Sequence, residues 1–284
     1  MSLFGFLKDQ KLRPTWTYKV DGILWRVIPT DSRKIVGEVR SPAEKTTSFF
    51  CLNQTTGEVF WEGLNFGEPW WIGIEAIHKN VLLLHGFSTP DLPGHKGIIA
   101  VDVMTGETLW KNNNLTFVSA GESSVVASQE SLEGRTLFDL EYRTGEPLRS
   151  LTDNDRMSRI REFSSAESGI ELPVLLTDLS EYSLDKYYNG DAFVGNVEGI
   201  DLGDLIIFNF HEKGAESPEQ RMHLRNTLKV LDKSSGTILY STVLNGDSPA
   251  VVPESFFIQQ QTLFFVREKH ELTALRLPGP YGEK

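Results

Sequence analysis

The sequence predicts an all-β chain of repeated four-stranded antiparallel units, a β-propeller, from two observations. One short phrase is written four times: "LNQTTGEVFW" at 52–61, "VDVMTGETLW" at 101–110, "LEYRTGEPLR" at 140–149 and "LDKSSGTILY" at 231–240. The phrases are also spaced like repeats. Gly57 and Gly106 are 49 residues apart, Gly106 and Gly145 are 39 apart, and Gly145 and Gly236 are 91 apart. That is one, one and about two periods of the ~40–50 residues over which propeller repeats recur.

Each phrase reads as a hairpin. "GIIAVDV" (97–103) is β-branched and alternates, so it is a strand. "TGE" is a tight turn whose glycine takes a positive φ, and "TLW" begins the returning strand. Asn53, Asp102, Glu141 and Asp232 stand four residues before the glycines, where a polar side chain can accept from free turn N–H groups. Trp61, Trp110, Arg149 and Tyr240 stand four residues after them, a place suited to packing between neighbouring repeats.

Upstream of each hairpin lie two more strand-like runs, as in "WIGIEAIHKNVLLLHGF" (71–87) and "FVGNVEGIDLGDLIIFNF" (193–210). One unit is therefore four antiparallel strands, with the Thr-Gly turn joining the third to the fourth. The expected blades are 24–62, 71–111, 116–151, 193–242, and 249–277 completed by the N-terminal strand 14–20, in which Trp16 takes the repeat position. The run 152–192 has room for a degenerate sixth blade. Six blades in one domain over 1–284, closed by the N-terminal strand, is the expectation; five with a long insertion is the alternative.

"AVDVMTGETLW" (100–110) resembles the repeat of the quinoprotein-type propellers, Ala-x-Asp-x-x-Thr-Gly-x-x-x-Trp. The likeness runs from Leu24 to Leu277 but is strong only at 98–110 and nearly absent from 152 to 192. "LPVLLTDLSEYS" (172–183) and "FHEKG" (210–214) add a fainter resemblance to uncharacterised bacterial proteins with degenerate repeats of this kind. The resemblance implies the fold. It carries over no quinone or calcium residues, because the large dehydrogenases of this type use a vicinal cysteine pair and this chain has one cysteine, Cys51. No cofactor is expected.

Composition narrows the partners. With 28 Lys and Arg against 39 Asp and Glu, the chain carries a formal charge of −11, which repels phosphate backbones, so no nucleic-acid partner is expected. One cysteine excludes an internal disulfide and a cysteine zinc site. No secretory leader or ~20-residue apolar span is present, from which a cytoplasmic location is expected.

No Gly-x-Ser-x-Gly, phosphate loop or dinucleotide fingerprint occurs. His211 and His223 share a charged loop with Glu212, Glu216 and Glu219 that could ligate a metal, but no compact histidine spacing exists, and a solvated loop is the simpler reading. His85 ends the run "VLLLH", where a satisfied histidine at a strand end accounts for it. No catalytic or metal residue is expected.

Variable loops oppose the uniform Thr-Gly turns: 40–48, 88–97, 129–136, 211–226 and 267–271. Such loops on a rigid scaffold are where binding concentrates. The candidate binding residues are His211, Glu212, Lys213, Glu216, Arg221 and His223, with His95 and Lys96 from the second blade. The expected function is a non-enzymatic scaffold that binds a protein or peptide through this face. The alternative is binding or hydrolysis of a small ligand or carbohydrate at the central channel, whose mark would be inward-facing carboxylates and histidines from several blades converging at one channel mouth.

Overall fold

A computed structural model describes residues 12–89, 92–121, 123–132, 134–152, 169–214 and 223–279. They divide into two compact units, Val20–Ser168 and Met1–Lys19 with Gly169–Lys284. The first strand in the chain, β1 (Trp16–Lys19), belongs to the second of these.

The unit Val20–Ser168 holds three four-stranded antiparallel sheets, each in simple chain order. The first is β2 (Ile23–Pro29), β3 (Lys34–Ser41), β4 (Thr46–Asn53) and β5 (Val59–Leu64). The second is β6 (Ile72–His78), β7 (Val81–Thr89), β8 (Leu92–Asp102) and β9 (Thr108–Asn112). The third is β10 (Thr116–Ala120), β11 (Val125–Ser131), β12 (Gly134–Leu140) and β13 (Pro147–Leu151). The first strand of each sheet bulges, leaving Trp25, Glu75 and Val118 out of register with its partner strand. A bulge re-aims the side chain it carries, and bulges gather beside functional sites.

The first half of β7 is apolar on both faces because both faces are covered. Leu82 and Leu84 join a cluster with Val36, Phe49 and Trp61 of the first sheet. Val81 and Leu83, pointing the other way, join one with Val125, Ala127 and Leu140 of the third.

The repeated phrase forms one turn four times. The N–H groups of Thr55 and Thr56 donate to Asn53 Oδ1, those of Met104 and Thr105 to Asp102 Oδ1, those of Arg143 and Thr144 to Glu141 Oε2, and those of Ser234 and Ser235 to Asp232 Oδ1, at 2.7–3.4 Å. Gly57, Gly106, Gly145 and Gly236 follow at φ 73°, 74°, 70° and 67°. The residue four places after the glycine then reaches the next sheet. Trp61 Nε1–H donates to the Val103 carbonyl at 2.9 Å and Trp110 Nε1–H to the Tyr142 carbonyl at 2.8 Å. Arg149 breaks the pattern and instead donates to Asp139 of its own sheet at 3.2 Å.

The second unit holds two five-stranded sheets. One is ordered β15 (Val174–Leu175), β16 (Phe193–Asp201), β17 (Leu205–Lys213), β18 (Leu224–Asp232), β19 (Thr237–Ser248). The other is ordered β1, β22 (Glu271–Arg276), β21 (Thr262–Arg267), β20 (Phe256–Gln259), β14 (Ile170–Glu171). β1 pairs antiparallel with β22, Trp16 opposite Ala274. Trp16 is buried, its ring 6.1 Å from that of Phe264.

The described residues form five sheets, and the expected sixth blade is not among them. Of 152–192, residues 153–168 lie outside the described residues, while 169–192 make no sheet of their own. Ile170–Glu171 extends the edge of one sheet and Val174–Leu175 the edge of the other. After them come a single α-turn, Leu179–Tyr182, and a 3-10 turn, Leu184–Tyr187. Leu176, Leu179, Tyr182, Leu184, Tyr187 and Tyr188 cover Ile206, Phe208, Phe210 and Leu231. The segment thus supplies the apolar cover that a neighbouring blade would supply, without strand alternation. Tyr187 Oη donates to the Gly236 carbonyl at 2.7 Å, at the turn of the sheet it covers.

Candidate functional site

Ten residues separate Glu75 from His85, and ten separate His85 from His95. The second sheet is a meander, so these residues fall on three successive strands, β6, β7 and β8, and meet. His95 Nδ1 is 2.5 Å from Glu75 Oε1, and His85 Nδ1 is 3.3 Å from the same oxygen. The two imidazoles stack, centroids 3.5 Å apart and planes 8° apart. Phe87 stands edge-on to both.

The meeting depends on two local features. Glu75 is the bulged residue of β6, between the pairs Ile74–Leu84 and Ala76–Leu83. Gly73 lies opposite His85 in register, and a Cβ there would stand 3.0 Å from His85 Cε1 and 3.2 Å from Nε2. The glycine leaves the imidazole its room.

His85 is 5% exposed and its Nδ1 makes no hydrogen bond. The expectation of a satisfied strand-end histidine is therefore corrected. Burial first, and then the charges of His95, Arg26 and Arg40, push its pKa down to about 3. It is neutral at any physiological pH, so its contact with Glu75 is not an ion pair. Burial raises the Glu75 carboxyl, opposed by His95 and Arg26.

The first sheet supplies the positive rim. Arg26 on β2 donates to the Ile74 carbonyl. Arg40 on β3 donates to Glu38 Oε1 at 2.7 Å, to the Ile72 carbonyl at 2.8 Å and to the Trp70 carbonyl at 3.3 Å. Buried Glu38 also accepts from Ile74 N–H at 3.1 Å. Two sheets are thus tied at one end by an arginine that spends its hydrogen bonds inside the protein. The same guanidinium lies 5.5 Å from the centroid of the Trp25 ring and 5.2 Å from that of Trp70. Trp25 is 62% exposed and Trp71 is 38% exposed, with Trp71 edge-on to Phe87 at 5.7 Å. A cleft of about 230 Å³ opens between Trp71, Phe87, Lys96 and Lys111.

Of the expected binding residues, only His95 reaches this cluster; Lys96 lines the cleft beside it. His211, Glu212 and Lys213 are corrected from loop to strand: all three lie in β17. His211 is buried, and its Nε2 accepts from Val252 N–H at 3.1 Å. Glu212 accepts from Asn189 N–H at 2.7 Å. His223 Nδ1 contacts Asp247 Oδ1. Glu216 and Arg221 lie outside the described residues. A second cleft, of about 390 Å³, runs beside Glu212, Arg225 and Lys229.

Glu75, Arg26 and Arg40 escape a reading by local motif, since each acts from a separate strand. The even spacing of ten residues across a meander was the signal present.

A family described as "Domain of unknown function (DUF4905)" matches residues 28–110, the stretch that spans most of the first two sheets and the whole cluster but for Arg26 and Trp25. No curated protein matches the chain in sequence. Among solved structures, the chain is similar to BamB from Moraxella catarrhalis at 12% identity and TM-score 0.38, over 95% of this chain and 88% of that one. It is similar at 12% identity to a europium-containing methanol dehydrogenase, TM-score 0.32, over 91% of this chain and 52% of that one. At 12% identity it also resembles the β-propeller domain of the Trilobed protease from Pyrococcus furiosus, TM-score 0.31, over 92% and 68%. Likeness at this level says nothing of activity. Among the described residues no helix is long and apolar enough to cross a membrane.

Proposed function

We propose that the five sheets are blades of one β-propeller domain and that the protein is a non-enzymatic scaffold that binds a protein or peptide. One observation supports this reading above the others: exposed Trp25 and half-buried Trp70 flank Arg40, with exposed Trp71 next in the chain, at the end of the sheets opposite the Thr-Gly turns. Tryptophan and arginine dominate the energetic centres of protein interfaces, because a rigid aromatic surface and a fixed guanidinium lose little entropy on binding. Here the guanidinium is held by Glu38 and two carbonyls before any partner arrives, so the surface is pre-organised. The binding surface is thereby read at the 40–48 and 88–97 ends of the first two sheets rather than at 211–226.

The test is affinity capture with the intact protein and with a Trp25→Ala/Trp71→Ala variant, followed by direct titration of the captured partner. Both side chains are exposed, so the melting temperature should stay within a few degrees while partner affinity falls at least tenfold. Equal affinity for the two baits would discard this surface.

A further inference from the structure

We propose that Glu75, His85 and His95 form a three-ligand site for a divalent first-row transition metal, with a coordination position left open to solvent. One donor atom from each residue lies within 4.8 Å of the donors of the other two. A metal bonded to nitrogen and carboxylate oxygen at ~2.0–2.2 Å in tetrahedral geometry sets its donors roughly 3.3–3.5 Å apart. His85 Nδ1 and Glu75 Oε1, at 3.3 Å, already have that separation. His95 Nδ1 and Glu75 Oε1, at 2.5 Å, are joined by a hydrogen bond that a metal would replace. Because His95 is the outermost and partly exposed member, its ring has the freedom to move aside for the ion.

Three features separate this cluster from a chance meeting of polar groups. First, His85 Nδ1 is a buried polar atom with no hydrogen bond, 3.3 Å from the carboxylate oxygen. A buried unpaired group of this kind carries a desolvation cost that a ligand would remove. Second, Gly73 keeps the space for that imidazole where any side chain would press on it. Third, the bulge at Glu75 turns the carboxylate toward both histidines. Two imidazoles and one carboxylate match zinc and its neighbours rather than calcium or magnesium, which prefer all-oxygen sets.

The charges around the site set its limits. Arg26 and Arg40 face it from the first sheet, and Glu38 neutralises Arg40. Arg26 is left to oppose a bare cation and to favour an anionic fourth ligand, such as a carboxylate from whatever molecule the site engages. The proposal does not depend on the scaffold reading above: a metal could bind here whether or not Trp25 and Trp71 hold a partner.

The experiment is titration of the chelator-treated full chain with Zn²⁺ by calorimetry and with Co²⁺ by visible absorption, using wild type, His95→Ala and Glu75→Gln. The expected result is one equivalent bound by wild type, a ligand-field spectrum of a four- or five-coordinate cobalt, and at least a tenfold loss of affinity in each variant. His95 is partly exposed, so its variant should fold as the wild type does, and circular dichroism checks this. Absence of stoichiometric binding by wild type overturns the proposal. So does binding that neither variant weakens, which would place the metal at another histidine.

Discussion

The indole of Trp110 occupies the space that a side chain on Gly145 would need: a Cβ there would stand 2.6 Å from Trp110 Cδ2. Gly106 and Trp61 repeat the relationship one sheet earlier, at 3.0 Å to Cγ. These two turn glycines therefore do two things, taking a positive φ and admitting the tryptophan of the preceding sheet. The two demands can be separated by mutation. Gly67 has φ 80° but open space around it. Gly67→Ala should cost only the left-handed strain, ~1–2 kcal/mol. Gly145→Ala adds overpacking of ~1–3 kcal/mol. Urea denaturation of the two variants should show the difference, and equal costs would mean that the indole yields freely.

The acid stability of the protein should carry the signature of His85. Its folded pKa, about 3, lies below the ordinary histidine value of 6.5. Between those values the unfolded chain binds a proton that the folded one refuses, so the stability this neutral histidine supports is complete above pH 6.5 and lost as pH falls toward 3. Each unit in that window is worth at most ~1.4 kcal/mol. Urea midpoints with chelator present should fall more steeply from pH 6.5 to 4 in wild type than in His85→Gln. The groups facing His85 that titrate or carry charge are Glu75, His95, Arg26 and Arg40, and all remain in the variant. Parallel curves would contradict the buried neutral imidazole.

Cys51 should be inert. It is fully buried in the first sheet, and burial pushes its thiol up to about 12, only partly offset by Lys34. A thiolate is the reactive form, so Ellman's reagent at pH 8 should find no thiol in the folded protein and one in urea. Prompt reaction without denaturant would show that the first two sheets open readily.

The cover over the β15–β19 sheet should depend on Tyr187. Its hydroxyl donates to the Gly236 carbonyl, and its ring lies 6.1 Å from that of Phe208. Tyr187→Phe keeps the ring and loses the bond, for a cost of ~1 kcal/mol. Tyr187→Ala also strips the apolar cover and should cost ~3 kcal/mol or more. If both variants melt with wild type, the segment 176–188 is not packed as described.

The hairpin turns could be read from the order of residues alone. Asn53, Asp102, Glu141 and Asp232, the glycines four places on, and Trp61 and Trp110 beyond them were legible because a turn closes within ten residues, and its hydrogen bonds are local. The strands of four sheets were legible for the same reason, since adjacent strands in a meander are adjacent in sequence. What covers a sheet and what meets across one followed instead from how the strands pack. The run 169–188 lacks strand alternation, yet it extends two sheet edges and buries one face, because an uncovered apolar face and an open edge must be satisfied by whatever chain is near. Glu75, His85 and His95 came together through a bulge, a register and a glycine opposite a histidine. None of these has a local sequence signature, because each is a relation between strands.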